Sequence, residues 1–288
     1  MPVLTTRIRN ATALIVLSLT TAALGQQAVS PSFGVQGFEI ERVSRTRHVG
    51  DGAGVTVVNR FGDVRARFGG YEGRVEILAN VQHFADEGAR LVVDTKESPA
   101  GIGITVGYRT PDGDGLITTP DPAQKKRADM VVYVPRGAPL SVSTDHGLVE
   151  ARGLQSDFRA RTASGTFSAR KIAGELDIKT GAGDAIVVLE RWDLLREHSI
   201  VSETGNISVV FGAEVDAVIR VATSGLISTD YSMQVDYKAD RTPLRRGQAL
   251  VGKGSSVISI TSTEGNIQLV RRPLAQKARQ SRGKRGEP

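Results

Sequence analysis

The chain of 288 residues contains no cysteine. This absence excludes a disulfide framework, a zinc or iron–sulfur centre held by thiolates, and a cysteine nucleophile. Aromatic residues are also scarce, at 5% of the chain with a single tryptophan, so few rings are available for stacking on sugars. By contrast, 32 glycines and 40% apolar residues predict a globular protein of many short strands and tight turns.

Positive charge is concentrated at the two ends of the chain. The formal net charge is +6, but residues 1–25 hold two arginines and no acid, and residues 271–288 hold seven bases and one acid. Residues 26–270 therefore keep 28 bases and 30 acids, a net charge of −2. We expect 271–288 to be a disordered basic tail that makes weak contact with anionic surfaces, and we expect no specific nucleic-acid complex.

The amino terminus has the layout of a secretory signal peptide. Arg7 and Arg9 precede an apolar stretch at 11–25, and Ala23 and Gly25 place small residues at the cleavage site. An uncleaved anchor is the alternative, but fifteen helical residues rise only about 22 Å against a hydrocarbon core of about 30 Å. We expect cleavage after residue 25, no later transmembrane segment, and an exported product that is periplasmic, at the cell surface or secreted.

A Thr/Ser-x-x-Gly turn recurs along the chain. Apolar residues occupy every second position on both sides of each turn, with polar residues between them, which predicts strands with one buried face. From Gly147 to Gly225 the turns follow one another about every twenty residues, the last turn comes forty residues later, and an earlier copy reads Asn-Arg-Phe-Gly. The glycines of the turns are Gly62, Gly147, Gly165, Gly183, Gly205, Gly225 and Gly265.

Two short strands cannot bury their own apolar face, whereas stacked copies form a continuous core. The predicted fold is therefore all-β, a parallel β-solenoid (β-helix) with the glycines at corners of positive φ and with Asn or Asp next to them for the same reason. A β-sandwich is the alternative. The side chains predicted to point inward are Val149, Phe167, Val187, Ile207 and Ile267.

The predicted organisation has five segments. We expect irregular strands and loops before the main array because its open end needs cover. Two interruptions are expected: a shift of the apolar phase to Ile219, Val221 and Thr223 predicts a bulge or an alternative register near Gly225, and the polar stretch from 230 to 254 predicts an irregular loop. The segments are a signal peptide at 1–25, an N-terminal segment at 26–54, an irregular β cap at 55–139, solenoid repeats at 140–270 and the tail at 271–288.

The stretch from Val55 to Val270 resembles a bacterial β-strand-repeat family of putative adhesins, a domain of unknown function. The motifs that carry the resemblance are VTVVNRFGDVRARF at 55–68, VVYVPRGAPLSVSTDHGLVEARGL at 131–154, the TASGTF, TGAGDA and SETGNI turns, and SVISITSTEGNIQL at 256–269. The resemblance implies a right-handed, single-stranded β-helix on an exported bacterial protein. It implies no catalytic residue.

No motif predicts a catalytic, cofactor-binding or metal site. Ser164 and Ser224 lie outside a Gly-x-Ser-x-Gly context. Asp112 and Asp114 imitate the start of a calcium loop, but Ala123 stands where the loop needs a bidentate glutamate. The four histidines are scattered without a metal-ligand spacing, and each is expected to be structural: His48, His83, His146 and His198.

The sequence predicts an exported, non-enzymatic, adhesin-like binding or scaffold protein of the bacterial cell envelope. The expected partner is an envelope or extracellular polymer or protein, and no cofactor is expected. The alternative is a β-helix enzyme, a lyase or hydrolase acting on polysaccharide, because stacking could bring outward carboxylates together. Trp192 is predicted to lie in a one-turn helix over a corner. The candidate outward residues for the enzyme are Asp157, Arg159, Glu175, Asp177 and Glu190.

Overall fold

The computed structural model describes residues 5–8, 38–84, 89–109, 115–120, 126–189, 197–212, 215–236 and 244–272. These residues form twenty-two β-strands and one short 3-10 helix, Tyr71–Gly73. The prediction of an all-β fold is confirmed. The strands are β1 Thr5–Ile8, β2 Phe38–His48, β3 Gly54–Val58, β4 Val64–Phe68, β5 Arg74–Phe84, β6 Arg90–Ser98, β7 Gly101–Arg109, β8 Ala128–Val134, β9 Leu140–Thr144, β10 Val149–Arg152, β11 Phe158–Thr162, β12 Phe167–Arg170, β13 Leu176–Thr180, β14 Ala185–Leu189, β15 Glu197–Ser202, β16 Ile207–Phe211, β17 Ala217–Thr223, β18 Ile227–Thr229, β19 Gln234–Asp236, β20 Arg245–Val251, β21 Ser256–Ser262 and β22 Ile267–Arg271.

The strands form two sheets, each with eleven strands from the described ranges. The first sheet has the order β1-β2-β5-β8-β4-β10-β12-β14-β16-β22-β18, and the second has the order β19-β20-β17-β21-β15-β13-β11-β9-β3-β7-β6. From β9 to β16 the chain alternates between the two sheets, because each turn at a motif glycine leads from the second sheet to the first. Each repeat, named here by its glycine, thus contributes one strand to each sheet.

Neighbouring repeats pair in parallel, and the same repeat position faces itself in every layer. In the first sheet Val149 pairs with Phe167, and Phe167 pairs with Ala185; in the second, Leu140 pairs with Phe158. All five side chains predicted to point inward are at most 1% exposed. A one-residue slip would move every apolar side chain to the outer face, so the alternating sequence sets this register.

Both sheets also contain antiparallel strands, which the solenoid prediction did not include. Strands β1, β2 and β5 lie at one end of the first sheet, whereas β6 and the pair β19–β20 flank the second sheet. The sheets are therefore mixed. The closed, right-handed coil stays a prediction.

The order of the repeats in space differs from their order in the sequence. The Gly62 repeat (β3 and β4) lies directly beside the Gly147 repeat, in the same register, although it was predicted to belong to an irregular cap. The Gly265 repeat (β21 and β22) lies between the Gly205 and Gly225 repeats. Every repeat shares the motif of its neighbours. Different stacking orders of the repeats would therefore bury similar side chains, and the sequence alone does not distinguish these orders.

The first predicted interruption is not a bulge, and the second is not a loop throughout. Strand β17 pairs with β21 over seven consecutive residues, so it contains no bulge. The phase shift lies in the turn instead. The Thr223 hydroxyl accepts the amide hydrogen of Gly225 two residues later, whereas Ser262 accepts that of Gly265 three residues later. The stretch from 230 to 254 contains β19 and β20, which pair antiparallel with each other, and β20 pairs with β17, so it is not a loop throughout.

The motif glycines are required by close backbone approach, and not by positive φ. None of the seven has a positive φ, so the sequence-based reason was wrong. A Cβ on Gly165 would lie closer than 3.0 Å to the carbonyl oxygen of Gly147 in the adjacent repeat, and a Cβ on Gly183 would meet the oxygen of Gly165 in the same way. Real Cβ atoms essentially never show such a separation. The stack therefore leaves no room for a side chain in this column.

The other motif positions hold adjacent repeats together. The buried Ser262 hydroxyl accepts the amide hydrogen of Gly265 at 2.9 Å and donates to the Gly205 oxygen of the next layer at 2.8 Å. The Asn or Asp after the glycine also bridges layers: Asn206 Oδ1 accepts the amide of Asn266 at 3.0 Å. These residues were predicted to tolerate a left-handed backbone. In the structure their side-chain oxygens instead accept hydrogen bonds from the next repeat.

We expect Ser262→Ala to lower the free energy of unfolding by about 1–3 kcal/mol, because it leaves the buried amide of Gly265 and the oxygen of Gly205 without this partner. Ser259→Ala, on the outward face of the same strand, is the matched control and should cost about 0.5 kcal/mol or less. Urea denaturation of the two variants measures the difference. Equal midpoints would show that the hydroxyl column does not stabilise the stack.

Candidate binding surface

The outward face of the second sheet carries an ion-pair cluster formed by neighbouring repeats. Strand β11 presents Arg159 and Arg161, and the adjacent β13 presents Asp177. Arg161 binds both carboxylate oxygens, at 3.2 and 2.7 Å, while Arg159 Nε donates to Oδ2 at 2.9 Å. Arg159 and Asp177 face each other directly because they occupy the same repeat position eighteen residues apart. That spacing is the sequence signal for this contact.

The arginines hold Asp177 in its ionised form. Burial alone would raise the pKa of this carboxyl, but the hydrogen bonds from Arg161 and Arg159 outweigh burial, and the net pKa is lowered. A carboxylate that is bonded by two guanidinium groups is a poor proton donor at neutral pH. Asp177 can therefore fix charge at a defined place, but it is unsuited to act as a general acid.

We expect Asp177→Asn to destabilise the protein near neutral pH and to do so less as the medium becomes acidic. A lowered pKa in the folded state contributes stability above the unfolded-state pKa of about 3.9, and this contribution is lost as pH falls through the folded-state pKa. The difference in melting temperature between wild type and variant should thus shrink below about pH 4. Glu203→Gln, in an exposed turn, is the control, and a difference independent of pH would contradict the assignment.

A shallow cleft beside this cluster brings together most of the acids of the enzyme alternative. Asp157, Glu175 and Asp177 line it together with Arg159, and its volume is 260 Å³. Asp157 Oδ1 accepts the amide hydrogen of Glu175 at 2.9 Å, so this carboxylate joins two layers. Glu190 lies outside the described residues. Glycoside hydrolysis needs one carboxyl with a raised pKa, and Asp177 is shifted in the opposite direction.

The first sheet carries a second cluster of the same kind, centred on Glu150 of β10. Arg67 on the adjacent β4 lies 2.8 Å from Glu150 Oε2, and Arg65 and Arg170 lie 3.8 Å from its oxygens. The hydrogen bond from Arg67 is the main reason that the pKa of Glu150 is lowered; burial opposes it. Arginine and carboxylate thus form ordered patterns across the layers of both sheets.

A larger cleft of 560 Å³ lies beside the turns of the Gly62 and Gly147 repeats and is lined by Arg60, Lys126, Arg127, Asp145 and His146, among other residues. Its two arginines have carboxylate partners, and Arg60 lies 3.7 Å from Asp145. Arg127 contacts Asp63 at 3.0 Å and Asp129 at 2.8 Å, and the hydrogen bond to Asp129 is the main cause of its raised pKa.

The histidines lie apart from one another, and His83, His146 and His198 each contact a side chain or backbone group of another strand or turn. His198 is buried on the inner face, and its Nδ1 accepts the amide hydrogen of Leu176 at 3.2 Å. His83 Nε2 lies 3.0 Å from Glu41. His48 is exposed on β2. Among the described residues no group of three His, Cys, Asp or Glu side chains is arranged to hold a metal ion.

The structure brings Ser164 and His146 together, a contact that the sequence analysis did not predict. His146 Nδ1 lies 2.6 Å from Ser164 Oγ, and the hydroxyl also donates to the Asp145 carbonyl at 3.4 Å. Ser224 occupies the equivalent position of its own repeat and donates to the Thr263 carbonyl at 2.6 Å. The shared position and the shared bond to the neighbouring layer favour a structural role for both serines.

Several sequence-based predictions concern residues outside the described ranges. Trp192 and the calcium-like residues Asp112 and Asp114 belong to this group, as does most of the predicted tail. Strand β22 extends to Arg271, whose guanidinium lies 4.7 Å from the centre of the Tyr231 ring, so this strand includes the first residue of the predicted tail. Within the described ranges, no helix has the length and apolar character to cross a membrane.

Comparison with known proteins gives distant structural similarity only. No protein-family model matches the chain, and no curated protein matches it. A "putative cell adhesion protein" from Clostridium sporogenes aligns over 80% of this chain and 100% of its own, with 12% identity and a TM-score of 0.45. A "putative adhesin" from Parabacteroides merdae aligns over 80% and 96%, with 11% identity and a TM-score of 0.29. The structures similar to this chain are thus bacterial proteins named as putative adhesins.

Proposed function

We propose that the protein is an exported, non-enzymatic β-solenoid that binds a polymer or protein of the bacterial cell envelope or its surroundings. The observation that carries this proposal is the fixed pattern of arginine and carboxylate on the outward faces of adjacent repeats. Arg159, Arg161 and Asp177 hold one another in place, so their positions are set before a ligand arrives. Preorganised charges lose little conformational entropy on binding and favour a repetitive, complementary partner.

The solenoid part of the proposal is supported by the alternation of the chain between the two sheets and by the parallel register of neighbouring repeats. In the proposed solenoid, each repeat forms one turn of the coil. Export is supported by the sequence alone, through the signal-like residues 1–25. We expect a bacterium that expresses the chain to export it and to remove residues 1–25. Mass spectrometry of the amino terminus of the secreted or periplasmic protein measures this loss.

The ionisation state of the carboxylates at the centres of the two clusters favours binding over catalysis. Asp177 and Glu150 are both held ionised by arginines, whereas hydrolysis of a glycosidic bond needs a protonated carboxyl near neutral pH. The enzyme alternative would have to use acids other than these two. Turnover of any polysaccharide by the purified protein would overturn the proposal.

The test is a panel of defined bacterial and plant polysaccharides and purified envelope fractions, probed for binding and for cleavage with and without calcium. The double variant Arg159→Ala/Arg161→Ala removes both guanidiniums of the cluster. The control Lys179→Ala removes a cation from the same outward face of β13 without a role in the cluster. We expect retention on a matching ligand to fall at least about tenfold in the double variant and to persist in the control. Equal loss in both would mean that only net charge matters.

We further propose that the basic carboxyl terminus adds weak attraction to anionic surfaces. Removal of residues 273–288 deletes five of the seven terminal bases while leaving Arg271 and Arg272. The melting temperature should change little, whereas retention on anionic vesicles at low salt should fall. Retention of the full chain should also weaken between 0.1 M and 1 M salt, as the Debye length drops from about 10 Å to about 3 Å. Equal retention of both proteins would show that the terminus is passive.

A further inference from the structure

Among the described strands, one short strand covers the outer edge of β2. Strand β1 pairs with β2 between Ile40 and Val43, and no other described strand lies along this edge, since β1 and β2 end the order of the first sheet. Strand β1 falls within residues 1–25, the segment that the sequence predicts to be removed on export. Loss of β1 would open the edge of an eleven-residue strand.

The backbone hydrogen-bonding groups of this edge belong to alternate residues of β2. Val49, directly after the strand, donates its amide hydrogen to Gly73 on the β5 side. Gln82 of β5 is the partner of Ile40, but it donates its amide hydrogen away from β2, to the carbonyl oxygen of Arg127. Odd-numbered residues of β2 therefore bond to β5, and the even-numbered residues Ile40 to Thr46 present their amide and carbonyl groups to the outer edge.

The odd-numbered side chains of β2 form a charge pattern that is complementary to itself. They read Glu39, Glu41, Val43, Arg45 and Arg47 along one face. If a second copy pairs antiparallel about Val43, each Glu41 faces Arg45 and each Glu39 faces Arg47. These pairs are non-hydrogen-bonded pairs, in which opposite side chains approach most closely. A shift of the register by two residues places Glu41 or Arg45 opposite Val43. Only the register centred on Val43 therefore sets both glutamates opposite arginines.

Among the described residues, Arg45 has no carboxylate within ion-pair distance, and Arg47 has one that is largely exposed. Arg45 and Arg47 both bond the Thr95 hydroxyl, at 3.3 and 3.1 Å, and Arg47 Nε lies 3.3 Å from Glu97, which is largely exposed. Burial, and then the positive charge of Arg47, lowers the pKa of Arg45. The buried Nε of Arg45 has no hydrogen-bond partner among the described residues. A carboxylate opposite Arg45 would relieve this repulsion.

We propose that the protein without residues 1–25 forms a homodimer through antiparallel pairing of β2 with β2 of a second copy, centred on Val43. The first sheets of the two copies then form one continuous sheet with outward charge patterns on both halves. While β1 is present it occupies the same edge and blocks the pairing. This inference rests on the export step of the proposed function, because cleavage supplies the open edge.

The first experiment compares the purified chain 1–288 with the purified chain 26–288 by sedimentation equilibrium from about 1 to about 100 µM. Strand β1 pairs with β2 alone, so its removal leaves every other strand pair in place, and thermal melts verify folding. We expect 26–288 to be a dimer and 1–288 a monomer over this range. Because both proteins are prepared directly, failure of export in a cell does not affect the result. A monomeric 26–288 at about 100 µM overturns the inference.

The second experiment exchanges the charges in the 26–288 chain. Arg45→Glu/Arg47→Glu places four acids along the edge, and Glu39→Arg/Glu41→Arg places four bases there. Each variant alone should dimerise at least about a hundredfold more weakly, since four cross-strand pairs become like-charged. An equimolar mixture of the two should form a heterodimer. The control Arg42→Glu, on the opposite face, should dimerise as the parent does. Dimers of either double variant as tight as the parent, or no heterodimer from two folded variants, would disprove this pairing.

Discussion

Gly165→Ala should destabilise the protein by about 3 kcal/mol or more, with a fall in melting temperature of roughly 10 °C. The added Cβ would lie closer than 3.0 Å to the carbonyl oxygen of Gly147 and to the Thr162 hydroxyl. The obstacle is the backbone of the adjacent repeat, which cannot move away without separating β10 from β12. A single methyl group would therefore disturb two layers of the stack. Thermal and urea unfolding measure the loss.

Gly50→Ala is the matched control for this substitution. No heavy atom lies within 4 Å of a Cβ at Gly50, and its φ is not positive. Since alanine also restricts the unfolded chain more than glycine does, this variant should be neutral or slightly stabilising, by about 0.4–1 kcal/mol. If Gly165→Ala were as stable as Gly50→Ala, close approach of neighbouring turns could not be the reason for the glycine column.

Phe167→Asp should leave the protein largely unfolded. Phe167 is fully buried between the sheets, and its ring stacks on Phe158 with centroids 5.9 Å apart. Loss of the ring costs about 3–5 kcal/mol, and the new carboxylate would be buried without a partner, which adds several kcal/mol more. The sum is comparable with the total stability of a typical domain, about 5–15 kcal/mol.

The control for Phe167→Asp is Ile186→Asp, on the adjacent strand β14. Ile186 points outward and is 46% exposed, so an aspartate there should cost about 0.5 kcal/mol or less. Circular dichroism and the yield of soluble protein distinguish the two variants. A folded Phe167→Asp protein with a melting temperature near that of wild type would mean that Phe167 is not part of the core.

The sequence determined which residues face the core, because alternation along a strand directly records its buried face. Val149 and Phe167 occupy the same offset from their glycines, and they are buried and paired in the same register. The parallel pairing of neighbouring repeats followed from the fixed period. The outward columns were also readable, since Arg159 and Asp177 differ by one period.

The tertiary structure decided the reason for the glycine column. The sequence shows that glycine recurs at the position of Gly165 in each repeat, but it cannot distinguish a positive φ from a close neighbour as the reason. The distance from Gly165 to the oxygen of Gly147 depends on the spacing of the layers, which exists only once the repeats have stacked. Similarly, Asn206 is recognisable as a turn residue in the sequence, while its bond to the amide of Asn266 requires the layer above it.

The order of the layers was also decided by tertiary structure. The Gly205, Gly225 and Gly265 repeats offer similar apolar edges, so local patterning permits more than one sequence of stacking. The Gly265 repeat inserts between the other two, and β20 then pairs antiparallel with β17 on its remaining edge. Interactions between complete repeats fix this arrangement. Alternation and periodicity within one chain segment therefore determine what each strand buries, but not which neighbour it joins.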